Sequence, residues 1–302
     1  MAFLRNFRRP EYVKRSYGAI GRKRRKKIHI RYASRRHVVT ILVLVAAVAI
    51  FAGTFGYRYV PVLNSANISW GLYFRAPLEP PEAMPLGVEL LQQHQGLYIA
   101  DTNKKTVYFT FDLGYEAGYT SDTLNVLQAK NAHAIFFICG HYADKEDALV
   151  QRMLAEGHSV GNHTAKHKDP TTLSIAEMHK DILGLQQMFK EKYGADMRFY
   201  RPPGGKFNEQ NLIVAQEYGL HPTLWSLAYT DWQRDKTIGK QAVLKIVMDR
   251  MHNGAVMLFH IVSSDLPDTL PDLIDTLRSQ GYTIGEPQDL LTFIETSPAP
   301  AQ

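Results

Sequence analysis

From residue 106 onward the chain alternates two kinds of hydrophobic pattern. Short runs of β-branched and aromatic residues mark strands over 107–111, 134–139, 158–162, 199–201, 223–227, 255–259 and 282–284. Between them lie stretches with apolar residues three and four apart, the spacing of one helix face. Residues 144–156 form one such stretch and close at Gly157. The next opens on Ser174 with Glu177 three positions on, a capping box. It carries the stripe Ile175, Met178, Ile182, Leu185 and Phe189 before Gly194. Helical period recurs over 208–218, 239–252 and 269–280, each closing at or near a glycine, and Pro271 is tolerated in a first turn. Strands alternating with helices imply a parallel sheet with right-handed crossovers. About seven such units fit an irregular (β/α) barrel of class α/β. A doubly wound open sheet is the alternative. The chain shows no internal repeat.

The pattern before residue 106 is different. Residues 38–57 hold no charged side chain over 20 positions. A helix of that length reaches roughly 30 Å, one hydrocarbon core. Ala47-Val48-Ala49 fits a signal-peptide cleavage pattern, but it lies inside the apolar run, so an uncleaved single-pass anchor is the expectation. Residues 58–105 are mixed, with Pro77, Pro80, Pro81 and Pro85 resisting regular structure and a short helix over 88–95 closing at Gly96. They read as a linker and an N-terminal extension leaning on a main domain over 106–302.

Composition sharpens this division. The chain has 302 residues, 45% hydrophobic and 21% charged, which excludes a disordered chain. The net charge of +6 is an average of two unlike parts. Residues 1–36 hold 14 Lys and Arg against one acid, Glu11, leaving a body with 21 basic and 28 acidic residues. That body lacks the charge that nucleic acid requires. The basic run over 22–27 could serve as a nuclear signal, but beside an apolar span, attraction to anionic lipid is the simpler account. The positive-inside rule then places tail 1–37 in the cytoplasm and residues 58–302 outside the cell membrane. Cys139 is the single cysteine, so no intramolecular disulfide and no cysteine-rich zinc site can form. It follows Ala134-Ile135-Phe136-Phe137-Ile138 and reads as a core thiol.

Five ionisable residues fall at or just past strand ends: Asp112, His163, Arg201, Asp231 and His260. In parallel α/β folds those ends converge on the ligand-binding face. Each alone is as well explained by a structural role, but chance is a poor explanation of all five together. His163 and His167 are spaced i, i+4, which on a helical turn lets both imidazoles share a metal. Asp112 sits between Phe111 and Leu113, and a buried carboxylate must be paired or protonated. Arg201 is its natural partner, so the two are either a structural ion pair or a general base with its support. His260 follows a rigid apolar run and is either a satisfied core histidine or a general acid oriented by Asp231. Together these parts describe hydrolysis of a carbonyl compound by a metal-activated water. Glycosidase chemistry would pair Asp112 with Glu116 or Asp231 and leave the histidine pair idle.

The ordered segments Thr110-Phe111-Asp112-Leu113-Gly114, His163-Thr164-Ala165-Lys166-His167, Arg201-Pro202-Pro203-Gly204-Gly205, Asp231-Trp232 and Leu258-Phe259-His260 resemble the five motifs of the NodB-homology polysaccharide deacetylases. The resemblance covers about residues 106–286. It implies a distorted (β/α) barrel and metal-dependent hydrolysis of N-acetyl groups on sugars. It also implies Asp112 as base, Arg201 as its partner, and His260 as acid tuned by Asp231. By the same resemblance His163 and His167 are metal ligands, and Trp232, Tyr115, Pro203 and Gly204 bind substrate. Asp112-Leu113-Gly114-Tyr115-Glu116-Ala117-Gly118-Tyr119-Thr120, Ser69-Trp70-Gly71, Thr102-Asn103-Lys104-Lys105-Thr106 and Trp225-Ser226-Leu227-Ala228-Tyr229-Thr230-Asp231-Trp232 look like the delta-lactam branch. That branch implies peptidoglycan strands as partner, N-acetylmuramic acid as the deacetylated sugar, and a step toward spore-cortex lactam.

One position departs from the family. Where most members carry a second, metal-ligating Asp, and the delta-lactam branch Asn, this chain has Leu113. Leucine has no donor atom, so water and substrate complete the metal shell, or Glu116 reaches in, or binding is weak. The resemblance implies a divalent cation, zinc above others, held loosely by two protein ligands. The rivals are an N-acetylglucosamine deacetylase of peptidoglycan or chitin-like chains, and a non-catalytic wall-binding protein that Leu113 would permit. The retained Asp112, Arg201, Asp231 and His260 argue against the last.

Overall fold

The computed structural model describes residues 66–297. The basic tail and the expected anchor lie outside the described residues. Among those that are described, no helix is long and apolar enough to cross a membrane.

The N-terminal extension contributes β1 (Ile68–Ser69), a hairpin of β2 (Leu72–Tyr73) and β3 (Glu82–Ala83), and helix α1 (Pro85–Gln93). The alternating part then runs β4 (Thr106–Leu113), α2 (Thr120–Ala129), β5 (Ala134–Ile138), α3 (Gly140–Lys145), α4 (Asp147–Ala155), β6 (Ser159–Asn162), α5 (Ile175–Tyr193) and β7 (Phe199–Tyr200). It continues through β8 (Lys206–Phe207), α6 (Glu209–Glu217), β9 (His221–Pro222), β10 (Leu227–Ala228), α7 (Lys240–Asp249), β11 (Val256–His260), α8 (Asp265–Ser279), β12 (Thr283–Ile284) and α9 (Pro287–Thr296). The capping box at Ser174 and Glu177 forms as the pattern predicts, and Gly194 ends that helix in the left-handed region.

The main sheet is parallel throughout, in the order β10-β11-β4-β5-β6-β7-β9, with β12 against the start of β4. Its two edge strands, β9 and β10, are separated by only four residues, 223–226. Extended chain of that length spans about 18 Å at most, so the sheet must curl until its edges nearly meet. The remaining opening is bridged by the extension, where Leu97 pairs with Thr223 and Ile99 with Ala255. The sheet is therefore a distorted barrel of eight parallel strands with one seam. The strand expected over 223–227 is instead this corner, flanked by two two-residue strands. The helix expected over 144–156 is two helices broken at Glu146.

Period-two alternation divides the side chains cleanly. Val107, Phe109, Phe111, Phe136, Ile138, Met257 and Phe259 face outward into the main core with the helices. Tyr108, Ile135, Phe137, Phe199 and Val256 face inward and pack on Leu290, Leu291 and Ile294 of α9, which plugs the barrel floor. Gly161 is required inside the barrel, because a Cβ there would lie 2.6 Å from the Phe137 ring. Counting upward on the inner face leads to Asp112, Cys139, His163 and His260 at the mouth.

Candidate active site

Asp112 and Arg201 form the deepest layer. Arg201 is 0% exposed, and its guanidinium carbon lies over the Phe137 ring, 4.0 Å from the centroid. Its Nη1 donates to Asp112 Oδ1 at 2.8 Å and its Nε to the Thr223 carbonyl at 2.8 Å, with Nη2 3.3 Å from the Leu224 carbonyl. Arg201 thus ties β7 to β4 and to the 223–226 corner. Burial by itself would raise the Asp112 pKa. The charges of Arg201, His163 and His260 outweigh it and hold the carboxyl below the usual range. At neutral pH Asp112 is a buried carboxylate with one oxygen still directed at the mouth.

The histidine pair is next. His163 Nδ1 donates to the Arg201 carbonyl at 2.8 Å, which leaves Nε2 with its lone pair free, 3.5 Å from Asp112 Oδ2. Burial pushes its pKa down to about 4, so the ring is neutral and able to ligate a cation. His167 is not on a helical turn with it. The segment is a loop with Thr164 at φ 65° and His167 at φ 51°. It is held by Asn162 Oδ1 accepting from the Thr164 N–H and Asp181 Oδ1 accepting from the Lys166 N–H, both at 2.9 Å. The two rings still meet edge to face, centroids 4.9 Å apart. Donor atoms of His163, His167 and Cys139 all lie within 4.8 Å of one another. This donor set fits a divalent transition metal.

Leu113 and Glu116 take no part. Leu113 points outward into the helix-packed core. Glu116 Oε1 accepts from the Gly118 and Thr120 N–H groups at 2.6 and 3.3 Å, and Tyr142 donates to its other oxygen at 3.0 Å. It caps the start of α2 and is spent there.

Across the mouth, His260 Nδ1 donates to Asp231 Oδ1 at 2.8 Å, and the His260 backbone N–H donates to Oδ2 at 2.8 Å. Burial lowers the imidazole pKa, but the hydrogen bond and charge of Asp231 outweigh it and raise it above the ordinary value. With Nδ1 held by Asp231, the ring presents Nε2 to the cleft. His260 stands directly opposite Asp112 in the register of β11 on β4. Neighbouring strands lie about 5 Å apart, so the carboxylate and the imidazole flank one small space.

That space is the floor of a cleft of about 880 Å³, lined also by His167, Tyr115, Gly204 and Trp232. Trp232 is 56% exposed and its ring stands edge-on to His260, centroids 6.3 Å apart. Pro203 is buried at the start of the turn that carries Gly204 and is not among the residues lining the cleft. Sequence reasoning missed Leu72, Phe74, Trp225, Tyr229 and Arg250, which complete the walls. Arg250 donates to the Ala228 carbonyl and lies over the Phe74 ring, 5.2 Å from its centroid. The β2–β3 hairpin supplies Leu72 and nearby Phe74, and no local periodicity in the extension marks them.

A curled parallel sheet whose mouth gathers a cluster able to hold a cation beside the Asp112–Arg201 and Asp231–His260 pairs fits the class of metal-assisted hydrolases. Comparison with known proteins narrows that class: the chain belongs to the polysaccharide deacetylase family, whose profile matches residues 99–223. The peptidoglycan-N-acetylmuramic acid deacetylase PdaA of Bacillus subtilis is 33% identical over 247 residues, 82% of this chain and 94% of that protein. An uncharacterized 30.6 kDa protein of Geobacillus stearothermophilus is 38% identical over 250 residues, 82% of this chain and 94% of its own. The solved structure of PdaA, a family 4 carbohydrate esterase, superposes with a TM-score of 0.73 at 32% identity, covering 76% of this chain and 99% of that one.

Proposed function

We propose that this protein hydrolyses the N-acetyl group of N-acetylmuramic acid residues in peptidoglycan, acting outside the cell from a single N-terminal membrane anchor. The observation that carries the chemistry is the register of Asp112 against His260, each with its own buried partner. An amide set between them has a base on the side of the attacking water and an acid on the side of the leaving nitrogen. The glycan assignment draws support from the likeness to PdaA, and the anchor from the apolar run over 38–57. The basic tail would then lie against anionic lipid on the cytoplasmic side.

In this mechanism the sugar packs on Trp232 with its acetamido group over Asp112. Asp112 takes a proton from the attacking water as oxygen bonds to the acetyl carbon. Arg201 keeps the carboxylate ionised and aimed. His260 gives its Nε2 proton to the nitrogen as the carbon–nitrogen bond breaks, and acetate and a free amine leave. Asp231 holds the ring tautomer and stabilises its charge. His163 and His167 would hold a divalent cation such as zinc, which would supply Lewis-acid polarisation of the carbonyl. The binding-protein alternative rests on Leu113 alone, and the retained His260 ring, held by Asp231 and turned to the cleft, argues against it.

The test is acetate release from purified peptidoglycan strands by the full chain, with mass spectrometry locating the lost acetyl. Loss from muramic acid that stops with chelator is expected. Loss from glucosamine alone would overturn the sugar assignment, and no loss from any glycan would overturn the activity.

A further inference from the structure

The family's third protein ligand has no counterpart at position 113, yet the mouth does hold a third donor. Cys139 is the residue after β5, and its parity is that of Ile135 and Phe137, the inward positions. Its side chain therefore points up the barrel axis beside the histidines, while Leu113 points away from it. Its backbone N–H donates to the Leu113 carbonyl at 3.1 Å, which fixes it against the end of β4. The thiol is buried and makes only a weak sulfur contact, to the His163 carbonyl at 3.4 Å. Asp112 does not compete for this place. One of its oxygens is held by Arg201, and it is not part of the three-donor cluster.

We propose that Cys139 is the third protein ligand of the catalytic cation, giving a two-histidine, one-thiolate site in place of the family's two-histidine, one-carboxylate site. This deepens the function proposed above, on which it rests for the reaction but not for the metal. Binding breaks the S–H bond, releases that proton to solvent and forms a sulfur–metal bond, at the expense of the weak contact to His163. Thiolate with two imidazoles selects zinc or cobalt(II) over magnesium or manganese(II), which favour oxygen donors. Three protein donors leave an open position for water and substrate, as a catalytic site requires. On this assignment the metal is not bound loosely by two ligands.

The probe is cobalt(II), titrated into the metal-free full-length chain. Because Cys139 is the single cysteine, a thiolate-to-cobalt charge-transfer band can come from no other residue. The band is expected to grow to one equivalent in the wild type, and zinc should abolish it by displacement. C139S keeps the side-chain volume and should lack the band, with zinc affinity at least about tenfold weaker. Its metal-free thermal midpoint should match that of metal-free wild type. Cobalt binding without the band, no cobalt binding at all, or unchanged zinc affinity in C139S would each overturn the proposal. The readout needs no substrate. A band without acetate release leaves Cys139 a ligand and sinks the activity, whereas acetate release without a band sinks the ligand alone.

Discussion

Arg201→Met removes a guanidinium that is wholly buried while keeping the length of the side chain. Three losses follow. Asp112 becomes an unpaired carboxylate in a dry site, and breaking a buried pair by deleting one partner costs about 3–5 kcal/mol. The Thr223 and Leu224 carbonyls lose their donor, which adds about 1 kcal/mol. Methionine recovers some of the packing over Phe137 but none of the attraction to its face. The sum is about 4–6 kcal/mol, comparable with the whole stability of a marginal domain. Replacing Asp112 by leucine as well removes the stranded charge, so the double variant should recover about 3 kcal/mol over the single one while remaining inactive. Urea unfolding of the full chain in mild detergent reads this out, because Trp225 lies close to Arg201 and reports on the site. A single variant that loses activity with under about 1 kcal/mol of destabilisation, and gains nothing from the second change, would refute the reading of Arg201 as both charge partner and structural tie.

Other expectations follow from the same geometry. The rate should fall as pH rises through the raised His260 pKa, since the protonated acid is then lost; Asp231→Asn removes the cause, so the alkaline limb should move to lower pH. Burial holds both His158 and His163 at about 4 against an unfolded value near 6.5. The unfolded chain therefore binds more protons in that window, and stability should fall as pH drops from about 6.5 to about 4, by up to about 3 kcal/mol per histidine; a flat profile of urea midpoint against pH would contradict this. Trp232→Ala should raise KM roughly fivefold with little change in kcat or unfolding midpoint, since the indole offers only a stacking face. Gly205→Ala should destabilise by about 2 kcal/mol in the same urea assay, because φ is +64° and the new Cβ would lie 2.7 Å from the Trp225 ring.

The parts of the fold legible in the sequence are those where one residue's neighbours decide its conformation. Strands β4, β5 and β11 are dense aromatic and β-branched runs, and α5 announces itself by its capping box and stripe. The helix α2 was invisible because its cap is Glu116, four residues before its first turn and outside any local capping pattern. Helix α9 was missed although Pro287 opens it, because its apolar residues complete the barrel floor rather than a lateral face. The two-residue strands β9 and β10 depend on the curl of the whole sheet, which no short window records. In the site, strand-end positions alone nominated Asp112, His163, Arg201, Asp231 and His260. The extension's contribution to the cleft could not be read, since Leu72 and Phe74 reach it only through the hairpin and the pairing of Ile68 with Phe207. Cys139 was legible as buried, but not as facing two histidines, because that depends on which face of β5 lies inside.

The double duty of Arg201 bears on how such a protein would decay over evolutionary time. A lineage released from selection for catalysis must still keep Arg201, and with it Asp112, because losing either one strands the other in the barrel. Asp231 is tethered too, since it also holds the backbone of β11. The His260 ring and Trp232 hold up nothing but the reaction and could drift first. In descendants of this fold, an intact Asp112–Arg201 pair would therefore be testimony to architecture, and the state of position 260 would be the better witness to chemistry.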